Sequence, residues 1–556
     1  MELRIGLGCM RLSTDETIMA AAAAGVTVFD TARAYGENER LLADALRRAG
    51  AERTARIVTK GGMARVDGAW VPDGRAKAIR DDCEASLAAL GGLPIDLYLV
   101  HAPDPRTPWR TSMRALARLA DEAVVEHVGV SNVNRSQLDE ALALAPVAAV
   151  QVEMSLLEDR AVRGGVVERC AEAGVAVIAH SPLGGPRRAT ALARHRVLAE
   201  VAAGLEATPA EVALAWLLDL SPNVVAIPGA RRPEAARSAV RAATLELDDA
   251  DRAALARAFG RRTPAHVPRA RAEGEGEVVI VMGIPGAGKT RIAEDYVARG
   301  YVRINRDERG GSLLGVADAL DAQLAAGARH VVLDNTYLTR ASRSYVIETA
   351  ERHRVPARCV WLDTPLVQAQ VNLVTRLLER FGSLPTPEEL RERARGEQGL
   401  LAPTSQMRAV RELEPPSSDE GLAVVERREF VRTRDGNGRG AVFVAAAALD
   451  GHDCERALEA GDRTAPHLVF DWRPDGRVED LTRCVALVAA HVSGPVESAA
   501  CVHGGGPPRC WCRPPLPGLP LAFARRHGID PSRSVLIGAS ATHRTLAGTL
   551  GARYAS

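Results

Sequence analysis

Eight short apolar runs recur through the first half of the chain, each followed by an Ala/Leu/Arg-rich helical stretch. They are RIGLGCM (4–10), VTVFDT (26–31), RIVTK (56–60), DLYLVH (96–101), HVGVSN (127–132), AAVQVE (148–153), VAVIAHS (175–181) and VVAIPG (224–229). Strands that alternate with helices pair in parallel, because each crossover helix carries the chain back to the same end of the sheet. Eight such units over roughly 250 residues predict a (β/α)8 barrel spanning residues 1–260. At 556 residues the chain is too long for one core, so further domains follow. Residues 261–275 lack an apolar period, are rich in Pro, Arg, Gly and Glu, and are expected to be a linker. The strand-like VVIVMG then opens a second α/β unit, 276–432, and AVFVAAAAL opens a third, 433–556.

Composition excludes several classes of function. Hydrophobic residues make up 46% and charged residues 25%, and the net charge of +1 offers no global field to recruit nucleic acid or membrane. No run of about 18 uncharged apolar residues occurs, so no membrane partner is expected, and Glu2 and Arg4 do not suit a signal peptide. A cytoplasmic location is expected. The nine cysteines are mostly scattered, which argues against a disulfide framework. Of 71 basic residues only Lys60, Lys77 and Lys289 are lysines. Arginine cannot lose its proton and binds as a planar fork, so a retained lysine marks a position that arginine cannot fill. Lys77 joins no motif.

Asp30, Tyr35, Lys60 and His101 fall at or just after the C-terminal ends of three expected strands, Asp30 and Tyr35 following the same one, where barrel enzymes keep their chemistry. A lysine ammonium beside a tyrosine hydroxyl lowers the tyrosine pKa, and a carboxylate orients the lysine. Tyr35 could then protonate a carbonyl oxygen while His101 polarises it. The stretches GLGCM, FDTARAYGENERLLADAL, TKGG, IDLYLVHAPD, VGVSN, QVEMS, HSPLGG and IPGARRPE resemble the aldo-keto reductases. The resemblance implies a catalytic tetrad of these four residues, NADP(H) as cofactor and an aldehyde or ketone as substrate. It implies that Ser131, Asn132 and Gln151 hold the nicotinamide carboxamide, with Arg231 and Arg232 near a 2′-phosphate. His180 replaces the usual stacking aromatic residue, and Ser238-Ala239 replaces a Glu-Asn pair near the adenine.

Gly283 to Thr290, GIPGAGKT, fits the phosphate-binding pattern G-x-x-x-x-G-K-T between a strand and a helix. Gly283, Gly286 and Gly288 let backbone N–H groups approach phosphate, Lys289 reaches the β/γ oxygens of ATP, and Thr290 holds Mg²⁺. Asp307 could deprotonate an attacking hydroxyl, and Asp334 ends a strand where it could serve Mg²⁺. GIPGAGKT, INRDERGG, VVLDNTYLTRASRSYV, VPARCVWLDTP and PPSSDEGL resemble the kinase domain of polynucleotide 5′-kinases. That resemblance implies transfer of the γ-phosphate to a 5′-OH DNA or RNA end. It implies Asp307 as base, Arg376 as the arginine clamping the phosphoryl group, and Arg306, Arg340 and Arg343 as backbone contacts.

In the third segment Cys501, His503, Cys510 and Cys512 form C-x-H-x6-C-x-C, a closed four-ligand set suited to structural Zn²⁺. The segment resembles HAD-superfamily phosphatases of the histidinol-phosphate and heptose-bisphosphate phosphatase type, and that resemblance implies a zinc loop of this form on a Rossmann-like α/β fold. The chemistry of that family is missing. The nucleophile position, aligned on Asp450-Gly451, is Ala448, the signature lysine is Pro514, and the metal carboxylates become Gly538-Ala539 and His543. A silent scaffold is expected. The whole is expected to be a bifunctional enzyme of nucleic-acid repair, reducing carbonyls with NADPH and phosphorylating 5′-OH ends. A small-molecule kinase fused to a metabolic reductase, or a kinase regulated by a cofactor-sensing barrel, stay open as alternatives.

Overall fold

The computed structural model describes residues 3–12, 14–66, 68–259, 274–393, 399–431, 438–449, 458–506 and 508–556, with the side chains of 186, 187 and 307 left aside. Most of the expected linker and the Asp450-Gly451 pair lie outside these residues. The chain forms two compact units. One comprises residues 1–270 with the short segments 339–345 and 419–421, and the other residues 271–338, 346–418 and 422–556.

All eight expected strands appear in the first unit. They are Leu7–Gly8, Val28–Asp30, Arg56–Gly61, Leu97–Val100, His127–Ser131, Val147–Glu153, Ala176–His180 and Val224–Ile227, paired in that order. Every pairing is parallel. The sheet closes where Ile5 bridges Ala226, with Gly6 N–H donating to Ala226 O at 2.9 Å and Ala226 N–H to Arg4 O at 3.0 Å. The first strand is shorter than its apolar run because the chain turns at Cys9, whose carbonyl accepts from Leu12 N–H at 3.0 Å.

Side chains alternate across a strand, so every second residue faces the lumen. Val58, Leu97, Leu99, Ala149, Ile178 and Ile227 form one buried cluster, with Val28 packed against it. One step further toward the C-terminal end, the same rows continue as Asp30, Lys60, His101, Gln151 and His180. The site is therefore the polar top layer of an apolar column. An antiparallel hairpin, Met63–Val66 with Ala69–Pro72, follows the strand bearing Lys60 and has no counterpart among the expected elements.

The second unit holds two parallel five-stranded sheets. In the first, Glu277–Met282 is central, between His330–Asp334 and Ala357–Asp363, with Val302–Ile304 and Val424–Glu429 at the edges. Its run Val278 to Met282 is fully buried, as an unbroken apolar strand covered on both faces must be. In the second sheet the order is Val496–Cys501, His467–Trp472, Val442–Ala445, Val535–Ile537, Arg553–Ala555. Across the boundary expected at residues 432–433, one apolar cluster is shared, while each sheet also packs clusters of its own. Leu373, Val374, Leu377 and Leu378 of helix Leu366–Phe381 share one apolar cluster with Phe443, Phe470, Trp511 and Phe523. Among the described residues no single helix is long and apolar enough to cross a membrane.

Candidate active sites

At the top of the barrel, Lys60 is 1% exposed and is held by three oxygens. Its Nζ donates to Asp30 Oδ1 at 2.7 Å, Asp30 Oδ2 at 2.8 Å and Thr31 O at 2.6 Å. A buried ammonium survives only if its charge is paired and its protons are accepted. Burial alone would pull Lys60 down, but Asp30 and Tyr35 outweigh it and hold the lysine above its ordinary pKa. Gln151 Nε2 donates to Asp30 Oδ1 at 2.7 Å, fixing the carboxylate from the opposite wall.

Tyr35 lies in a short 3-10 turn, Arg33–Tyr35, with its ring centroid 5.3 Å from Lys60 Nζ. The expected lowering of its pKa is reversed. Burial raises Tyr35 by more than Lys60 lowers it, so the hydroxyl keeps its proton as a donor should. His101 stands 5.8 Å from Tyr35, ring to ring. Burial, then Lys60 and His180, push its pKa down to about 3, so the imidazole is neutral, and its Nδ1 is buried without a hydrogen-bond partner among the described residues. The four tetrad candidates thus converge.

The carboxamide candidates sit beside them. Ser131 and Gln151 are buried, and Asn132 Nδ2 donates to His101 O at 3.0 Å and Ser131 Oγ at 3.1 Å. His180 Nε2 lies 3.1 Å from Asn132 Oδ1, and burial with Lys60 pushes its pKa to about 4. Arg231 and Arg232 are exposed. Ser238 is turned away to donate to Glu211 Oε1 at 2.7 Å, and Ala239 is buried. Sequence reasoning missed Trp70 on the hairpin. Its ring lies 5.9 Å from both Tyr35 and His101, with the Arg65 guanidinium 4.2 Å above it. Only its place a few residues after Lys60 could have flagged it.

In the second unit the segment Gly283–Thr290 joins the central strand to helix Lys289–Val297. Gly286 has φ +87°, and a Cβ there would lie 2.4 Å from Ala369 O, so only glycine fits. Lys289 Nζ rests on the carbonyls of Gly283 and Ile284, each at 3.1 Å. The loop borders a cavity of about 1090 Å³. Lys289, Thr290, Arg306 and Asp334 line one side of it, and Gln368, Asn372, Arg376, Arg408 and Arg428 another. Asp334 is buried, and its Oδ2 accepts from Arg303 Nη2 at 2.8 Å and Asn305 Nδ2 at 3.2 Å. Asp307 lies in the turn of helix Arg306–Arg309, but its side chain is outside what the structure describes. Arg343 does not reach the cavity. It is fully buried in a two-pronged pair with Glu420, both bonds 2.7 Å, while Arg340 pairs with Asp419 at 2.8 Å. Long-range acidic partners have claimed two of the three arginines expected to meet a polynucleotide.

Cys501, His503, Cys510 and Cys512 bring four donor atoms within 4.8 Å of one another. Cys501 Sγ lies 3.6 Å from Cys510 Sγ and 3.5 Å from His503 Nδ1, and Cys512 Sγ lies 3.2 Å from that nitrogen. Ligand bonds of about 2.0–2.3 Å in a tetrahedron put neighbouring donors roughly 3.3–3.8 Å apart, so the cluster fits zinc. Ala448 closes the 3-10 turn Ala446–Ala448, where it is buried and carries no nucleophile. Ala539 N–H donates to His543 Nδ1 at 3.2 Å.

A family model described as aldo/keto reductase family matches residues 4–258, and one described as AAA domain matches residues 278–398. Aldo-keto reductase str7 of Strobilurus tenacellus is 30% identical over 268 residues, 42% of this chain and 78% of its own. A probable aldo-keto reductase of Glycine max is 31% identical over 291 residues, 45% of this chain and 83% of its own. The crystal structure of an aldo/keto reductase from Klebsiella pneumoniae in complex with NADP and acetate is 26% identical, covering 47% of this chain and 94% of that one, with a TM-score of 0.41.

Proposed function

The chain belongs to the aldo/keto reductase family through residues 4–258, and from that premise we propose an NADPH-dependent carbonyl reductase joined to a polynucleotide 5′-kinase. The reductase reading is carried by the buried Lys60, whose charge is answered by Asp30 and Thr31 within 5.3 Å of the Tyr35 ring. NADPH supplies the hydride when bound. Tyr35 donates its proton to the carbonyl oxygen, Lys60 stabilises the phenolate left behind, and neutral His101 orients the carbonyl. Ser131, Asn132 and Gln151 would hold the carboxamide of nicotinamide, with Arg231 and Arg232 near the 2′-phosphate. Trp70 walls the substrate side.

Residues 278–398 form an AAA-type P-loop domain. We read it as a kinase for 5′-OH polynucleotide ends because its cavity of about 1090 Å³ combines Lys289 with Arg306 and Arg376, while Arg408 and Arg428 line it already paired with Glu412 and Glu426. Several fixed cations around one phosphate loop suit two polyanions, ATP and a nucleic-acid end, better than a small neutral acceptor. Mg²⁺ would screen the transferring charge, held by Thr290 and Asp334. Asp307 takes the proton of the attacking hydroxyl, and Arg376 clamps the phosphoryl group. The third segment, HAD-like with Ala448 at its nucleophile position, is a zinc-clipped scaffold without phosphatase activity.

The test is labelled ATP with 5′-OH RNA and DNA oligonucleotides, with Asp307→Ala as control. Labelled ends that disappear in the variant support the reading. Labelling of metabolites but not oligonucleotides would move the assignment to a small-molecule kinase.

A further inference from the structure

The third sheet lacks the residues of a catalyst, yet its Cys/His loop reaches the P-loop cavity through a short mechanical path. Trp511, 1% exposed, sits between Cys510 and Cys512, two of the four clustered donors. Its indole Nε1–H donates to Leu401 O at 2.9 Å. Leu401 and Gly399 line the cavity, and Leu400 is buried in the same apolar cluster as Trp511. Leu384 packs against the Cys501, Cys510 and Cys512 cluster and also against that larger core. Gly518 closes the arrangement. A Cβ there would stand 2.4 Å from Trp511 O and 2.8 Å from Leu384 Cδ1, so the chain passes the indole's backbone too closely for any side chain.

Helix Leu366–Phe381 makes the second connection. Gln368, Asn372 and Arg376, spaced by four, share one face and line the cavity. Asn372 Nδ2 donates to Gly286 O of the phosphate loop at 2.9 Å. Leu373, Val374, Leu377 and Leu378 point the other way, into the core that holds Trp511 and Phe443. One helix therefore has the nucleotide cavity on one side and the third sheet on the other.

We propose that the metal loop of the third segment is a structural wall of the P-loop site, with Trp511 as the positioning residue that transmits it. A metal bound by Cys510 and Cys512 fixes the backbone on both sides of the indole. The fixed indole holds Leu401 and, through the shared core, the helix that carries Asn372 and Arg376. The third segment is then kept for the kinase site, with no reaction of its own. This rests on reading the Cys/His cluster as a zinc clip and the cavity as a nucleotide site, so the experiment must separate those readings from the coupling.

The full-length protein is assayed for zinc content, for affinity toward a fluorescent ATP analogue with Mg²⁺ in excess, and for reductase turnover as a check on the barrel. The expected native protein carries one zinc, and a zinc-selective chelator weakens nucleotide affinity by about tenfold, reversibly on zinc addition. Trp511→Phe keeps the bulk but loses the indole N–H. It should retain zinc and full reductase turnover while losing affinity about fivefold, the value of one buried hydrogen bond. Should chelation unfold the unit, the zinc-replete Trp511→Phe protein still decides. Unchanged affinity in that variant, or in folded zinc-free protein, overturns the coupling alone. Absence of zinc after reconstitution overturns the clip and the coupling with it, and zinc without any nucleotide binding overturns the cavity reading.

Discussion

Lys60 and Lys289 solve opposite problems. Lys60 is sealed in the barrel, with Asp30 and Thr31 meeting its protons at 2.6–2.8 Å. Lys289 is half-buried and rests on two loop carbonyls at 3.1 Å, contacts that a phosphate oxygen can replace. A charge satisfied from within is suited to tuning a neighbour's proton. A lysine that rests on the carbonyls of a phosphate-binding turn is placed to receive an anion. The surroundings agree: the barrel rim offers neutral His101, His180 and Tyr35, whereas the cavity presents Arg306 and Arg376, with Arg408 and Arg428 paired to Glu412 and Glu426.

The sharpest way to break this contrast is to remove the proton donor. Tyr35→Phe should cost the reductase on the order of 10²–10⁴ in kcat, measured as NADPH oxidation with an aromatic aldehyde, with phosphoryl transfer intact. A small loss would mean that another group protonates the carbonyl. Next comes Asp334→Asn, which removes the carboxylate that Arg303 and Asn305 now hold. Its phosphoryl transfer should fall by about 10²–10³, with a raised Mg²⁺ requirement and unaltered carbonyl reduction. An unchanged Mg²⁺ titration would remove Asp334 from metal binding.

Trp70→Ala should act on binding more than on chemistry, raising KM for aromatic carbonyls about fivefold, the value of roughly 1 kcal/mol of ring contact, with kcat little changed. An equal effect on small aliphatic aldehydes would deny Trp70 its role as an aromatic wall. The smallest expected effect is on stability against pH. His101 and His180 have folded pKa values of about 3 and about 4, below the ordinary 6.5, so the unfolded chain binds more protons between those values. Barrel stability should therefore fall as pH drops from 6.5 toward 4, and thermal melts of His101→Asn should show a shallower decline. An identical slope would place the acid sensitivity elsewhere.

The barrel was legible because its signal is local. Polar residues interrupt an apolar column at one level, as Lys60 does after Val58 and His101 after Leu99. The glycine spacing of Gly283–Thr290 is equally local. What escaped depends on partners distant in the chain. Arg343 reads as a contact to a polynucleotide backbone until Glu420, 77 residues on, is seen to pair with it. Leu373 and Leu377 mark an apolar helix face, but only the fold shows that Trp511 and Phe443 cover it. The rise in the Tyr35 pKa likewise turns on burial, which a pattern of residue types does not contain. Trp70 belongs to a hairpin whose partner rings, Tyr35 and His101, come from the loops after two other strands.

The central claim is that one polypeptide carries two separate chemistries, each built around its own lysine. The most direct test assays Lys60→Ala and Lys289→Ala side by side for NADPH oxidation with an aldehyde and for phosphate transfer from ATP to a 5′-OH oligonucleotide. The expected result is a clean exchange. Lys60→Ala loses reduction and keeps end phosphorylation, and Lys289→Ala does the reverse. If Lys289→Ala still labels the oligonucleotide as the native protein does, or either variant loses both activities while folded, the claim is contradicted.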